Sequence, residues 1–159
     1  MGIEIERKFL VKDKSYKNEA FSSLHIIQGY ICRQSGKTVR IRISGNKGYI
    51  TIKGISSDNG LSRYEWEKEI EIDEARELLK LCSDGIIDKI RYKVKSGNHI
   101  FEIDEFFGDN EGLIVAEVEM ESIDDIVILP HFIEKEVTGH KEYYNSNLII
   151  NPYKLWKKG

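Results

Sequence analysis

The feature that most constrains this chain is a period of two that separates charge from apolar side chains. Glu4, Glu6 and Lys8 alternate with Ile3, Ile5 and Phe9 over residues 3–9. Arg40 and Arg42 oppose Val39, Ile41 and Ile43 in 38–44, and Thr51 and Lys53 oppose Ile50 and Ile52 in 49–55. Glu65, Glu67, Glu69 and Glu71 face away from Tyr64, Trp66, Ile70 and Ile72 in 62–72. Lys89, Arg91, Lys93 and Lys95 do the same against Ile90, Tyr92 and Val94 in 88–95. Glu102 and Asp104 oppose Phe101 and Ile103 in 99–107, and Glu117, Glu119 and Glu121 oppose Val118 and Met120 in 113–121. Such alternation belongs to β-strands whose two faces meet different surroundings. Residues 25–32 add an eighth strand. Gly45-Asn-Lys-Gly48, Ser96-Gly-Asn98 and Asp109-Asn-Glu-Gly112 read as the turns of an antiparallel series.

Helical spacing is scarcer. Asp73 reads as the N-cap of a helix carrying Ala75, Leu78, Leu79 and Cys82, with Gly85 beyond its end. Ser122 reads as the cap of a short helix stopping before Pro130. Further short helices are expected within 15–23 and 141–149, the latter with Tyr144 and Leu148 on one face. The fold class that follows is α+β and mainly β: an antiparallel sheet closed into a barrel, or a fold built on one, with helices packed outside.

A single charged stripe is most simply a solvated strand face. Here nearly every strand carries one, each stripe is largely of one sign, and there are too few helices to cover the apolar side of a wide open sheet. Closing the sheet with the charges inward gives a wet interior, because an unpaired buried ion costs several kcal/mol. Carboxylates at i and i+2 point the same way and repel, which favours a divalent cation. Oxygen donors without His or Cys suit Mg²⁺ or Mn²⁺ over zinc. The Arg and Lys stripes call for an anion, and phosphate fits guanidinium forks.

Composition narrows the partners. Charged residues make up 32% of the chain, yet 24 Lys and Arg against 27 Asp and Glu leave a net charge of −3. That balance argues against a nucleic-acid binder or an anionic-membrane binder, both of which need a basic excess. The longest apolar runs, such as Ile126–Leu129, fall far short of the roughly 18 residues of a membrane span. The N-terminus enters a patterned strand without an apolar signal core, and Glu6 stands where a myristoylation signal needs Ser or Thr. Cys32 and Cys82 form no CxxC and fit reduced core thiols, so a cytoplasmic location is expected. With two prolines and no Pro-rich linker, one domain over residues 1–159 is expected.

Glu4-Ile-Glu6-Arg-Lys8 resembles the ExExK signature of the CYTH proteins, or triphosphate tunnel metalloenzymes. The resemblance continues through Gln28-Gly-Tyr30, Val39-Arg-Ile-Arg42, Thr51-Ile-Lys53-Gly54 and Ser62-Arg-Tyr-Glu65-Trp-Glu67. It extends to Lys89-Ile-Arg91-Tyr92, Phe101-Glu-Ile-Asp104, Ala116-Glu117-Val-Glu119 and Glu136-Val137-Thr138. ExExK alone is a weak signal in a Glu-rich chain; eight further matches in order make it a specific one, nearest to the short prokaryotic members made of this domain alone.

The resemblance implies an eight-stranded antiparallel barrel whose tunnel binds triphosphate and divalent metal. It implies that Glu4, Glu6, Glu117 and Glu119, joined by Asp104, hold one Mg²⁺ or Mn²⁺. Glu65 and Glu67 match an acidic pair linked to a second metal that activates water. Lys8, Arg40, Arg42, Lys53 and Arg91 match phosphate clamps. Tyr30 stands where some short members have a tyrosine near the signature lysine, and catalytic and packing roles are both open to it. The activity implied first is hydrolysis of tripolyphosphate to pyrophosphate and phosphate, favoured by a near-minimal length with no obvious insertion to recognise a base or thiazole. Class IV-type adenylate cyclase and thiamine triphosphatase share the tunnel chemistry, and a non-catalytic polyphosphate or nucleotide sensor is the rival from another class.

Lys93, Lys95, Glu69, Glu71 and Glu121 are expected to be solvated near the barrel mouths, and Lys154, Lys157 and Lys158 to form a solvated tail. Lys135 and Lys141 are weaker candidates for closing the tunnel. His25, His99, His131 and His140 lack metal-ligand spacing. Trp66 should point out of the tunnel, beneath a helix. Charges facing inward leave apolar side chains facing outward, so a homodimer is expected to cover part of that surface.

Overall fold

The computed structural model describes residues 2–156, the side chain of Asp58 excepted. Nine strands form one antiparallel sheet: β1 (Gly2–Val11), β2 (Ser22–Cys32), β3 (Thr38–Ser44), β4 (Lys47–Lys53), β5 (Ser62–Ile70), β6 (Ile86–Ser96), β7 (His99–Phe106), β8 (Ile114–Met120) and β9 (Ile133–Glu136). Their order is β5-β4-β3-β2-β6-β7-β8-β1-β9, and a further β5–β1 pairing closes the first eight into a barrel. All eight expected strands are present. The hairpins turn at Gly45-Asn46 and Gly97-Asn98, as expected from residues that accept the turn backbone.

β1 is gripped along its whole length. One edge pairs with β8 from Ile5 to Leu10; the other pairs with β5 from Gly2 to Ile5 and then with β9 at Phe9 and Val11. β9 is a strand the alternation does not announce. Its Glu136 takes a two-point bond from Arg7, at 3.1 and 2.8 Å, and Val137 N–H donates to Lys8 O at 2.8 Å.

Apolar outer faces are covered in two places. Helix α1 (Tyr16–Glu19) and Phe132 pack with Phe9, Val94, Phe101, Ile103, Ala116 and Val118 on the β1–β8–β7–β6 side. Helix α2 (Ile72–Leu79) sets Ala75 and Leu78 against Ile41 and Ile50. It comes close because Gly48 and Gly29 lie beneath it and beneath Cys82: a Cβ on either would stand 2.7 Å from the Cβ of Ala75 or of Cys82.

The α2 N-cap is Glu71, not Asp73. Glu71 and Glu74 form a reciprocal capping box, while Asp73 sits in the first turn, paired with Arg76 at 3.0 Å. No helix follows Ser122. Residues 122–125 make one turn, and the segment to Pro130 has no regular structure. Asp125 spends its carboxylate on Glu121 N–H and on His99, at 3.2 and 2.8 Å, and the β-branched run Ile126-Val-Ile128 favours extended backbone. The expected 141–149 helix is broken into a one-turn 3-10 segment (Lys141–Tyr143) and α3 (Asn145–Leu148), with Tyr144 extended between them.

Trp66 faces outward, but it is half-buried opposite the exposed Ile52 and lies outside the cluster under α2. Of the two cysteines only Cys82 is a core thiol; Cys32, at the end of β2, is exposed. Lys154 pairs with Asp109 at 2.8 Å on the surface; Lys157 and Lys158 lie outside the described residues. Among the described residues no helix is long and apolar enough to cross a membrane.

Candidate active site

The barrel interior is graded along its axis. Ile87 pairs with Gln28, Phe106 with Lys89 and Val115 with Asp104, so all three apolar residues share the inward face with their polar partners. With Leu113 and with Leu148 of α3 they form an apolar floor at one end. Above it come Lys89, Arg91, Asp104 and Glu117, and at the far mouth Glu4, Glu65, Glu67, Glu102 and Glu119. Two overlapping cavities, of about 60 Å³ near the floor and 180 Å³ at the acidic mouth, share Glu6, Arg40, Arg42, Lys53, Arg91 and Glu117 in their walls.

Every site residue expected from sequence except Asp104 lines one or both of these cavities. Lys8 and Tyr30 stand at the floor end; Glu4, Glu65, Glu67 and Glu119 stand at the mouth. Asp104 lies behind the wall, only 2% exposed. Its oxygens accept from Arg91 Nε and Nη2 at 2.7 and 2.9 Å and from Lys89 Nζ at 2.7 Å. Tyr30 is buried, and its hydroxyl accepts from Gln28 Nε2 at 3.0 Å. Lys135 and Lys141 are exposed and line neither cavity. His25, His99 and His131 are each paired with a carboxylate away from the tunnel, and His140 is exposed.

The cations divide into those held and those crowded. Lys53 Nζ lies 3.0 Å from Glu4 and 3.4 Å from Glu65. Lys8 Nζ lies 3.5 Å from Glu117 and 4.9 Å from the centre of the Tyr144 ring. Burial works against the Lys8 ammonium, but Glu117 and Glu6 outweigh it and raise its pKa. Arg40 Nη2 donates to Thr51 Oγ1 at 3.1 Å and meets Glu67 at 3.3 Å. Arg42 Nε donates to Gln28 Oε1 at 2.8 Å. Burial, with Arg40 and Arg91 close by, brings the Arg42 pKa down to about 9. Burial, opposed by Asp104 and assisted by Arg91 and Arg42, brings Lys89 down to about 7. Arg40 Nε is buried and finds no hydrogen-bond partner among the described residues.

The carboxylates are crowded too. Burial together with Glu117 and Glu4 pushes the Glu6 pKa well up, and Glu6 hydrogen-bonds to Glu117. Burial and Glu4 lift Glu65 to about 7. Burial with Glu4 and Glu102 lifts Glu119. Glu117 goes the other way: burial would raise it, but Lys8, Arg91 and Lys89 hold it well below the usual carboxylate range. Among the described residues no three His, Cys, Asp or Glu side chains stand together in an arrangement that would hold a metal ion as placed; Lys53 occupies the space between Glu4 and Glu65.

The CYTH domain family matches this chain over residues 2–148. The chain belongs to the CYTH domain family. An inorganic triphosphatase of Acetivibrio thermocellus is 46% identical over 159 residues, spanning 99% of this chain and 100% of the relative. One of Nitrosomonas europaea is 32% identical over 152 residues, spanning 93% of this chain and 97% of the relative. The crystal structure of the inorganic triphosphatase NE1496 superposes with a TM-score of 0.66 at 29% identity, covering 98% of this chain and 97% of that one.

Several residues of this CYTH domain's site have no role that the sequence pattern assigns. Gln28, Lys89 and Glu102 stand within the family motifs or the charged stripes, so position marks them as inward while chemistry gives them nothing specific. Arg63 continues the Glu65/Glu67 stripe of β5 opposite Glu4, while Thr138, Tyr144, Asn145 and Ser146 come from segments where alternation fails; all five line the floor-end cavity. Thr138 is brought there beside the crossing of Gly60 and Gly139. Both have positive φ, and a Cβ on Gly60 would stand 2.3 Å from Gly139 Cα. Thr138 beside that crossing accepts from Lys8 N–H at 2.9 Å, which pins the signature lysine.

Proposed function

We propose that this chain hydrolyses inorganic triphosphate to pyrophosphate and phosphate in a divalent-metal-dependent reaction inside the tunnel. The observation that carries the reading is the unmet demand for an anion at the centre. Arg40, whose buried Nε has no acceptor among the described residues, lines the cavity with Arg42 and Arg91, and Arg42 is depressed by burial and by those cationic neighbours. A polyphosphate supplies acceptors for all of them. The relatives named inorganic triphosphatase support the same substrate.

The donor set at the mouth fits a hard divalent cation. It is oxygen only, and the raised pKa values of Glu6 and Glu65 mark protons that such a cation would displace. Glu4, Glu6, Glu117 and Glu119 would hold one Mg²⁺ or Mn²⁺, and Glu65 and Glu67 a second. When bound, the metal neutralises phosphate charge, polarises a phosphoryl oxygen and lowers the pKa of bound water. Asp104 moves out of the metal set in this reading, because its oxygens are spent on Lys89 and Arg91. It serves as the anchor of those two cations.

The chain's own groups do the rest. Lys8, Arg40, Arg42, Lys53, Lys89 and Arg91 bind and orient the phosphates and stabilise charge on the departing pyrophosphate. Hydrolysis forms a bond from water oxygen to the terminal phosphorus and breaks that phosphorus's bond to the bridging oxygen. The proton that the water gives up leaves to solvent at the open mouth, where Glu65 and Glu67 stand as the carboxylates that would hold the second cation. Thr51 Oγ1 donates to Glu67 at 2.7 Å and fixes that carboxylate beside Arg40. Tyr30, tied to Gln28, shapes the floor end.

The reading takes the chain as one domain over residues 1–159. It places the protein in the cytoplasm, where free Cys32 and Cys82 stay reduced. It adds a homodimer, which would cover exposed Ile3, Ile52 and Tyr64. The test is product analysis with tripolyphosphate, ATP and thiamine triphosphate under Mg²⁺ and Mn²⁺. Phosphate and pyrophosphate from tripolyphosphate are expected. Cyclic AMP as the main product would overturn the assignment in favour of a cyclase, and no turnover would leave a sensor. Light scattering at micromolar concentration checks the dimer, and a strictly monomeric mass removes it.

A further inference from the structure

The floor end of the tunnel is finished by a side chain that belongs to no strand. Asn145 opens α3, and Leu148, one turn later on the same face, is buried in the apolar floor beside Phe106 and Ile87. Anchoring Leu148 sets Asn145 over the interior. Its Oδ1 accepts from Lys89 Nζ at 2.7 Å and from Gln28 Nε2 at 3.2 Å. The second bond does not end at Gln28, whose Oε1 accepts from Arg42 Nε at 2.8 Å. One amide oxygen therefore fixes two cations on different walls, Lys89 on β6 directly and Arg42 on β3 through Gln28. An amide carbonyl suits this position because it has two lone pairs for two donors and brings no negative charge to compete with an anion.

Resting on the triphosphatase reading, we infer that Asn145 is a positioning residue that presets Lys89 and Arg42 at the floor end for a terminal phosphate. Lys89 is 1% exposed and has two partners, Asp104 and Asn145. Without the amide, the ammonium swings fully onto its carboxylate, and Gln28 keeps only Tyr30 to orient the side chain that holds Arg42. The cations remain in the tunnel, but their spacing is no longer set before substrate arrives. Binding weakens, while bond cleavage at the mouth is little changed.

The experiment compares the full-length parent with Asn145→Ala and Asn145→Asp. Tripolyphosphate is titrated calorimetrically in EDTA, and KM and kcat are measured with Mg²⁺. Losing hydrogen bonds to charged groups predicts about tenfold weaker binding and about tenfold higher KM for Asn145→Ala, with kcat within about threefold. Asn145→Asp keeps the shape and the acceptor but places a carboxylate on Lys89. It folds like the parent and binds tripolyphosphate more weakly still. Parent-like binding and KM in either variant overturn the inference while the triphosphatase reading stands. So does a lowered thermal midpoint with KM unchanged, which marks a purely structural role. A parent that neither binds nor cleaves tripolyphosphate overturns the underlying reading and this inference with it.

Discussion

Asp104→Asn separates an anchor of cations from a metal ligand. In the structure Asp104 is buried, with both oxygens on Arg91 and one also on Lys89, at 2.7–2.9 Å. Its pKa is held down because Arg91 and Lys89 outweigh the burial that would raise it. Asparagine keeps one acceptor and removes the charge, leaving an ammonium and a guanidinium buried side by side. Breaking a buried ion pair from one side costs about 3–5 kcal/mol, and the retained acceptor places this substitution near the lower end. For a chain of this size roughly 2–4 °C of midpoint accompany each kcal/mol, so a loss of about 6–12 °C is expected without ligand.

Thermal or urea unfolding in EDTA measures that loss. The variant should also gain more from tripolyphosphate than the parent does, because the anion restores the missing charge; saturation at a hundred times Kd adds about 2.7 kcal/mol by mass action. The pH dependence has a definite sign. A carboxylate with a depressed folded-state pKa stabilises above its unfolded value and loses that contribution as pH falls through the folded value. The parent's advantage over Asp104→Asn is therefore full near neutrality and fades in strong acid. A metal-free variant as stable as the parent, or more stable, would refute the anchor assignment; relief of carboxylate repulsion is what loss of a metal ligand would give.

Three other outcomes are expected. Lys8→Ala and Glu4→Gln should each lower triphosphatase activity by about 100-fold or more, as loss of a charge-stabilising group does, with circular dichroism unchanged; activity within a few-fold of the parent removes the residue from the site. Glu65 has its pKa raised to about 7 and Glu6 well above the ordinary value, so metal-free stability should fall as pH rises from about 4.5 through 7. Mg²⁺ or Mn²⁺ should then raise the midpoint more at pH 8 than at pH 5.5, and an equal or smaller shift at pH 8 contradicts the crowding. Gly48→Ala should destabilise by about 1–3 kcal/mol through overpacking against Ala75, read as a lower urea midpoint with an unchanged slope.

The strands were legible because each side chain on them reports its face. Glu4, Arg40, Arg91 and Glu117 sit on period-two stripes, and closure brings all four stripes inward. What escaped the pattern was tertiary. β9 is only Ile133–Glu136, too short for alternation to show, and it is recruited by Arg7 on a strand more than a hundred residues earlier. The 122–130 segment had a cap-like Ser and an Ile-rich stretch, yet Asp125 turned its carboxylate to His99 and Glu121, and the helix never starts. Asn145 sits in a stretch with no strong periodicity, and its place follows from Leu148 entering the floor. Asp104 was legible as an inward residue. Its partners were not, because i and i+2 spacing reveals same-strand neighbours but not the cross-strand pairing of Arg91 with Asp104.

That cross-strand register also carries the direction of the tunnel. Going up β8, the inward residues run Val115, Glu117, Glu119, from apolar through clamped carboxylate to mouth acid. On its antiparallel neighbour β7 the order is reversed, Glu102, Asp104, Phe106, and on β1 it is Glu4, Glu6, Lys8, reaching Leu10 opposite Val115. Antiparallel neighbours must be written in opposite order to place like with like at the same depth. A barrel charged merely for solubility has no reason to keep that mirror, since any permutation along a strand leaves the net charge the same. Keeping it gives an apolar stop at one end, cations held by Asp104 and Asn145 above it, and surplus carboxylates at the other end. On the proposed function, an anion would be retained deep in the tunnel and a divalent cation near the mouth. Exchanging the ends of one strand, as in the double substitution Val115→Glu with Glu119→Val, conserves composition and net charge but sets a carboxylate against Leu113 and Leu148 in the floor. It should unfold the domain at neutral pH, whereas a solvated stripe would tolerate it; a folded double variant with the parent's midpoint would break the case for a one-ended interior.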